Sequence, residues 1–119
     1  MQFAVLVYEK PGTYEALSAS ELEQMTREYL EIAQLPGYIG GAQLQSIEMA
    51  SAVRVEGGET LITDGPFANT KEVFGGFYLF EAESLDPVLE IAARCPAARL
   101  GGVVEVRPLV HLHGMEDAG

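Results

Sequence analysis

At 119 residues, with 48% apolar and 21% charged side chains, the chain has the composition of one globular domain with one modest core. Eighteen acids against seven basic residues give a formal charge of -11, and the cations are dispersed, which excludes a nucleic-acid footprint and disfavours anionic membranes. No apolar run reaches the roughly 20 residues that span a bilayer, and the single cysteine permits neither an intrachain disulfide nor a thiolate zinc cluster.

The opening MQFAVLVYEK lacks a basic n-region and carries an acid at Glu9, so no secretion signal is expected and the cytoplasm is the expected compartment. Phe3 to Tyr8 is apolar at both alternating sets of positions, as a central strand covered on two sides requires. PGTYEALSAS reads as a loop. Ser20 then offers an N-cap, with Glu23 completing a capping box three residues on. Leu22, Met25, Tyr29, Ile32 and Ala33 recur at helical spacing until Pro36-Gly37 stops the helix.

GGAQLQS is a short strand opened by two glycines. SAVRV and ETLIT flank Glu56-Gly57-Gly58 and carry a hairpin signal. DGPFANTKE interrupts as a loop before the strand VFGGFYLFE. Simple alternation there sets Phe74, Tyr78 and Phe80 on one face and Val73, Phe77 and Leu79 on the other. Gly75-Gly76 inside that strand signals a bulge or the close approach of another group. A second helix is expected from Leu85 to Arg94, capped by Ser84 or Asp86, with Pro87 in its first turn and Pro96 ending it. Its expected buried stripe is Leu85, Val88, Leu89 and Ala92, with Cys95 a small apolar residue at the helix end. GVVEVR is the last strand, and residues 111–119 form a polar tail.

This order predicts an α+β domain over residues 1–110: a ferredoxin-like split βαβ arrangement with an antiparallel sheet. Two helices cover only one face of such a sheet. Aromatic and aliphatic residues occupy both faces, so a second copy laid sheet to sheet is expected, giving a homodimer.

Residues 64–72, DGPFANTKE, followed by GGFYLF, resemble the DGPF motif, typically DGPF-A-E-T-K-E followed by GGF. FAVLVYE at the start, CPAARLG at 95–101 and VEVRPL at 104–109 extend the likeness from end to end. The chain thus resembles the DGPF-domain, YCII-related family. The resemblance implies a dimeric α+β barrel and small-molecule lyase or isomerase chemistry, run by acid/base residues in a barrel pocket without a redox cofactor. The frequent placement of such genes beside alternative sigma factors implies the alternative, a non-catalytic ligand-binding or protein-interaction module in regulation. Asn69 stands where the family usually has an acid, so no acid/base role carries over to it.

Asp64 is the sharpest catalytic candidate. Gly65 and Pro66 fix its position, and a carboxylate at the mouth of an aromatic pocket would have its pKa raised toward a general-base range. The competing reading is a turn cap, with the carboxylate accepting backbone N–H bonds. Lys71 and Glu72 are candidates to bind substrate or orient that acid, against an ordinary solvated pair. Tyr8 and Tyr78 are candidate phenol donors to a substrate oxygen, Phe67 a pocket wall, and Arg99 a bidentate anion clamp. Arg54, Glu105 and Arg107 are expected to pair across the sheet. His111 and His113 have H-x-H spacing without a clear third ligand, so no metal site is expected.

Overall fold

The computed structural model describes residues 1–67 and 70–111. Gln2–Glu9 forms β1, the strand expected from its apolar run, and it lies between two neighbours. Helix α1, Ala19–Ile32, follows, then β2 (Tyr38–Gln43), a single 3-10 turn (Ile47–Met49), β3 (Ser51–Glu56) and β4 (Glu59–Asp64). Strand β5 (Val73–Glu81), helix α2 (Leu85–Arg94), a short helix α3 (Pro96–Arg99) and β6 (Val103–Pro108) complete the order. The main sheet runs β2-β5-β1-β6, and each of its pairings is antiparallel. It is the split βαβ arrangement with a hairpin, β3–β4, inserted between its second and third strands.

The capping box sits two residues earlier than expected. Ser18, not Ser20, is the N-cap: its Oγ accepts from the Glu21 N–H at 3.2 Å, and its own N–H donates to Glu21 Oε1 at 2.9 Å. The S-x-x-E spacing occurs twice in SASELE, and the earlier one adds helical residues and leaves Glu23 to pair with Arg27. Met25 and Ile32 are buried beneath α1, while Tyr29 and Ala33 are half-buried and Leu22 is exposed.

Phe3, Val5 and Val7 of β1, Ile32 of α1, Phe80 of β5, and Val88, Ala92, Cys95 and Ala97 form the core. Burying a ring such as that of Phe80 contributes about 2–3 kcal/mol. The stripe of α2 is rotated from expectation: Val88 and Ala92 are buried, but Leu85 and Leu89 are exposed. Pro96 and Ala97 of α3 pack inward and draw Cys95 and Ile91 toward the sheet instead.

Strand β5 carries the irregularity that its glycine pair signals. Val7 faces Gly76, yet the next residue, Tyr8, faces Phe74. The extra residue reverses the alternation, so Phe74 joins Tyr8 on the helix-free face, ring centroids 5.4 Å apart, rather than sharing a face with Tyr78 and Phe80. The helix-free face presents Ala4, Leu6 and Tyr8 of β1 beside Phe77 and Leu79.

Glu56-Gly57-Gly58-Glu59 closes the β3–β4 hairpin, and both glycines adopt positive φ (57° and 82°), as a two-residue type I′ turn demands. This hairpin forms its own two-stranded sheet, and every residue of β4 is exposed. It projects as an arm: the radius of gyration is 16.4 Å, against about 13–14 Å for a compact chain of this length. The arm also explains a missing ion pair. Arg54 lies on the arm opposite Leu61, whereas Glu105 and Arg107 lie on β6 opposite Leu6 and Ala4. The ion pairs formed among the described residues are instead Arg27–Glu23, Arg99–Glu28 and the N-terminus with Glu81. No described helix is long and apolar enough to cross a membrane.

Candidate functional site

Two concavities flank the β1–β5 pair, one on each face, and they divide the residues expected to act together. The outer hollow, about 700 Å³, lies between the arm and the Tyr8–Phe74 corner of the sheet. Gly65, at φ 94°, turns the chain after β4, and its N–H donates to the Ala50 carbonyl at 2.6 Å. Pro66, Phe67 and Glu72 then wall the hollow together with Tyr8. Asp64 stands one residue outside that wall, solvent-exposed and opposite Ser51. Its carboxylate accepts no hydrogen bond from the described residues, so among them the turn is closed by the Gly65 backbone and not by the acid. Lys71 is exposed and lines neither concavity.

The inner cleft, about 220 Å³, lies between α1 and the sheet, with its mouth at the β2 edge where Gly41, Ala42 and Gln43 are exposed. Glu9, the last residue of β1, points to this side. The loop after β1 folds back through two tight turns, with the Thr13 hydroxyl donating to the Lys10 carbonyl at 2.7 Å and the Leu17 N–H to the Tyr14 carbonyl at 3.2 Å. That fold-back brings the Tyr14 hydroxyl to donate to Glu9 Oε1. Beneath the carboxylate lies Gly75. A Cβ at that position would sit 2.6 Å from Glu9 Cδ and Oε1, so only glycine leaves room for the acid. The close approach signalled by Gly75-Gly76 is therefore the approach of Glu9.

Tyr78 belongs to this cleft, on the opposite side of the sheet from Tyr8. Its hydroxyl donates to the Tyr29 carbonyl at 2.8 Å, satisfying a carbonyl in the last turn of α1. The Tyr29 hydroxyl accepts from the Ala97 N–H at 3.1 Å. Tyr38 completes the aromatic wall, edge-on to Tyr78 at 6.2 Å and to Phe80 at 5.7 Å. Burial dominates the ionisation of these phenols. Tyr14 is held far above the usual tyrosine range by burial first, and then by its hydrogen bond to Glu9. Tyr78 is raised by burial and Tyr29 is pushed up to about 12 by the same cause, the Ala97 N–H opposing it. All three are neutral donors or acceptors at physiological pH.

Arg99 joins neither concavity. It donates to Glu28 at 2.6 Å, and that bond holds the Glu28 carboxyl below its ordinary range. Cys95 is fully buried, and burial pushes its thiol up to about 11, the opposite of nucleophile activation. His111 is exposed; His113 lies outside the described residues. Among the described residues no cluster of three His, Cys, Asp or Glu could hold a metal ion. The structure thus gathers Tyr8, Phe67 and Glu72, sets Asp64 beside them, and separates off Tyr78, Lys71 and Arg99. Glu9, Tyr14, Tyr29 and Tyr38 are absent from the site residues expected from the sequence; the signal that could have found Glu9 was an acid ending an apolar strand, with a glycine pair placed to face it.

A family model for the YCII-related domain matches residues 1–113. A protein of Rhizobium meliloti (strain 1021), described as uncharacterized, is 38% identical over an alignment of 117 residues, with 92% of each chain covered. Among solved structures, 5-chloro-2-hydroxyhydroquinone dehydrochlorinase from Burkholderia phenoliruptrix AC1100, in complex with 2,5-dihydroxybenzoquinone, superposes with a TM-score of 0.54 over 95% of this chain and 97% of that one. At 16% identity that likeness is one of α+β barrel fold.

Proposed function

The chain belongs to the YCII-related domain family, and from that premise we propose that it is a small-molecule enzyme of lyase or isomerase type, with proton transfer through the Glu9–Tyr14 pair of the inner cleft. The observation that carries this reading is the carboxylate seated over Gly75, with one oxygen held by Tyr14. Glu9 Oε2 makes no hydrogen bond to the described residues and is left for a substrate proton. Glu9 would take that proton as general base and return it to the product as general acid, while the Tyr14 phenol, held neutral, would steady the carboxylate. Such steps need no redox cofactor. The fold sets a precedent, since a dehydrochlorinase is built on it.

The test is a thermal-shift screen with a metabolite library, followed by turnover assays on the hits for the wild type and Glu9→Gln. Loss of a general base lowers the rate by about 10²–10⁴-fold. Undiminished turnover in Glu9→Gln overturns the assignment, and binding without conversion in the wild type points to the non-catalytic ligand-binding module in regulation.

Asp64 offers a second reading, favoured by the outer hollow that Tyr8, Phe67 and Glu72 share. There Asp64 would act from the rim as the acid or base. Activity abolished in Asp64→Asn and retained in Glu9→Gln would select this reading. We also propose that a second copy covers the helix-free face. The arm exposes Val53, Val55 and Ile62, each more than 60% accessible, and Phe67 at 78%; a monomer would leave these beside the apolar strand face, a patch that soluble monomers rarely keep.

A further inference from the structure

The charge around the inner cleft constrains what enters it. Among the described residues its wall contains one charged side chain, Glu9, and no basic residue. Lys10 is not part of that wall: it lines a small adjoining void of about 10 Å³, which Glu9, Tyr14, Met25 and Tyr29 also border, and its methylene stem packs over Gly101, where an added Cβ would lie 2.9 Å from the lysine Cδ. Arg99 is engaged by Glu28 and Arg27 by Glu23. The chain as a whole carries -11, so the long-range field has the same sign as Glu9. An entering carboxylate or phosphate would meet Glu9 with no cation among the described residues of the wall to compensate. Lys71 and Arg99, the residues expected to receive an anion, stand outside this wall.

Size narrows the choice further. An apolar cavity of about 150 Å³ accommodates benzene, so about 220 Å³ suits one substituted ring. Tyr38 and Tyr78 offer ring edges and faces to such a ligand, and Glu9 Oε2 and the Gln43 amide offer hydrogen-bonding partners.

We infer that the inner cleft takes a neutral single-ring molecule bearing hydroxyl groups and discriminates against carboxylates and phosphates of the same size. The inference rests on the cleft being the site proposed above. Benzyl alcohol and benzoate form a matched neutral and anionic pair. Each is titrated into the wild type, Glu9→Gln and Gln43→Lys by NMR, with the ring resonances of Tyr14 and Tyr78 reporting where binding occurs.

Benzyl alcohol is expected to bind the wild type at least roughly tenfold more tightly than benzoate, from repulsion between two like charges about 5 Å apart under partial solvent screening. In Glu9→Gln the gap closes to within about threefold as the repulsion is removed. Gln43→Lys, at an exposed position where folding is safe, raises benzoate affinity and keeps the inference testable if Glu9→Gln does not fold. Equal affinities in the wild type, with the Tyr14 and Tyr78 resonances moving, overturn the substrate class and leave the cleft standing as the site. Binding of either ligand, or of neither, with those resonances unmoved overturns the cleft itself and the inference with it.

Discussion

Gly75→Ala isolates the seating of Glu9 from the stability of the fold. The new Cβ would lie 2.6 Å from Glu9 Cδ and Oε1 and 2.9 Å from Oε2, about 1 Å short of the separation of about 3.5–4.0 Å at which such atoms rest. Gly75 does not have a positive φ, so alanine is free to adopt its backbone. The atoms in the way are the far end of a flexible side chain, and the carboxylate swings aside while the strand stays. Losing the Tyr14–Glu9 hydrogen bond costs about 1.5–3 kcal/mol where a charged acceptor is buried, and the half-exposure of this pair brings that nearer ~1 kcal/mol. Alanine in place of glycine inside a strand returns roughly 0.5–1 kcal/mol. The melting temperature is therefore expected to move by no more than about 5 °C.

A misplacement of about 1 Å at a reacting group costs about 100-fold in rate, equivalent to ~2.7 kcal/mol of transition-state stabilisation. Activity should thus fall far more than stability. A substrate-independent readout accompanies it. In the wild type, burial and the Glu9 contact hold the Tyr14 phenol far above the usual range; with Glu9 displaced, NMR titration of the Tyr14 ring should show ionisation at lower pH. Gly102→Ala is the contrasting control, because its Cβ would lie 2.2 Å from the Tyr8 carbonyl oxygen, which is backbone and cannot swing away. An unchanged Tyr14 titration with full activity in Gly75→Ala would refute the seating of Glu9 as a functional device.

The raised phenols and thiol also set an alkaline limit. Because folding favours their neutral forms, the stability they contribute is complete below their ordinary values, near 9 for the Cys95 thiol and 10 for the tyrosines, and is lost as pH rises toward about 11 for Cys95 and about 12 for Tyr29. Denaturant midpoints should therefore stay level through neutral pH and fall above about pH 9, less steeply in Tyr14→Phe; a midpoint flat to pH 11 would contradict this. Phe80→Ala, at a fully buried position, should cost about 3–5 kcal/mol by chemical denaturation. Ile62→Lys on the arm, 69% exposed, should turn a sedimenting dimer into a monomer while changing protomer stability by less than about 0.5 kcal/mol; an unaltered dimer would place the interface elsewhere.

Local chemistry was enough to write most of the fold in the sequence. The apolar run of Phe3 to Tyr8 specified a central strand, Gly57-Gly58 specified a two-residue hairpin turn, and the glycine pair in FGGF specified an irregular strand, because each feature acts within a few residues of itself. Where the same local rule was satisfied twice, as in SASELE, the sequence left the helix start ambiguous by two residues. The grouping of the site was not local. Whether Tyr78 stands with Tyr8 or against it depends on a bulge whose register is set by pairing between β1 and β5, and one extra residue moves Phe74 to the opposite face. Glu9 and Gly75 are 66 positions apart, and only the folding of that strand pair lays a carboxylate over a missing Cβ. Backbone propensity and hydrophobic period determined the elements; contact between distant strands decided which side chains share a cavity.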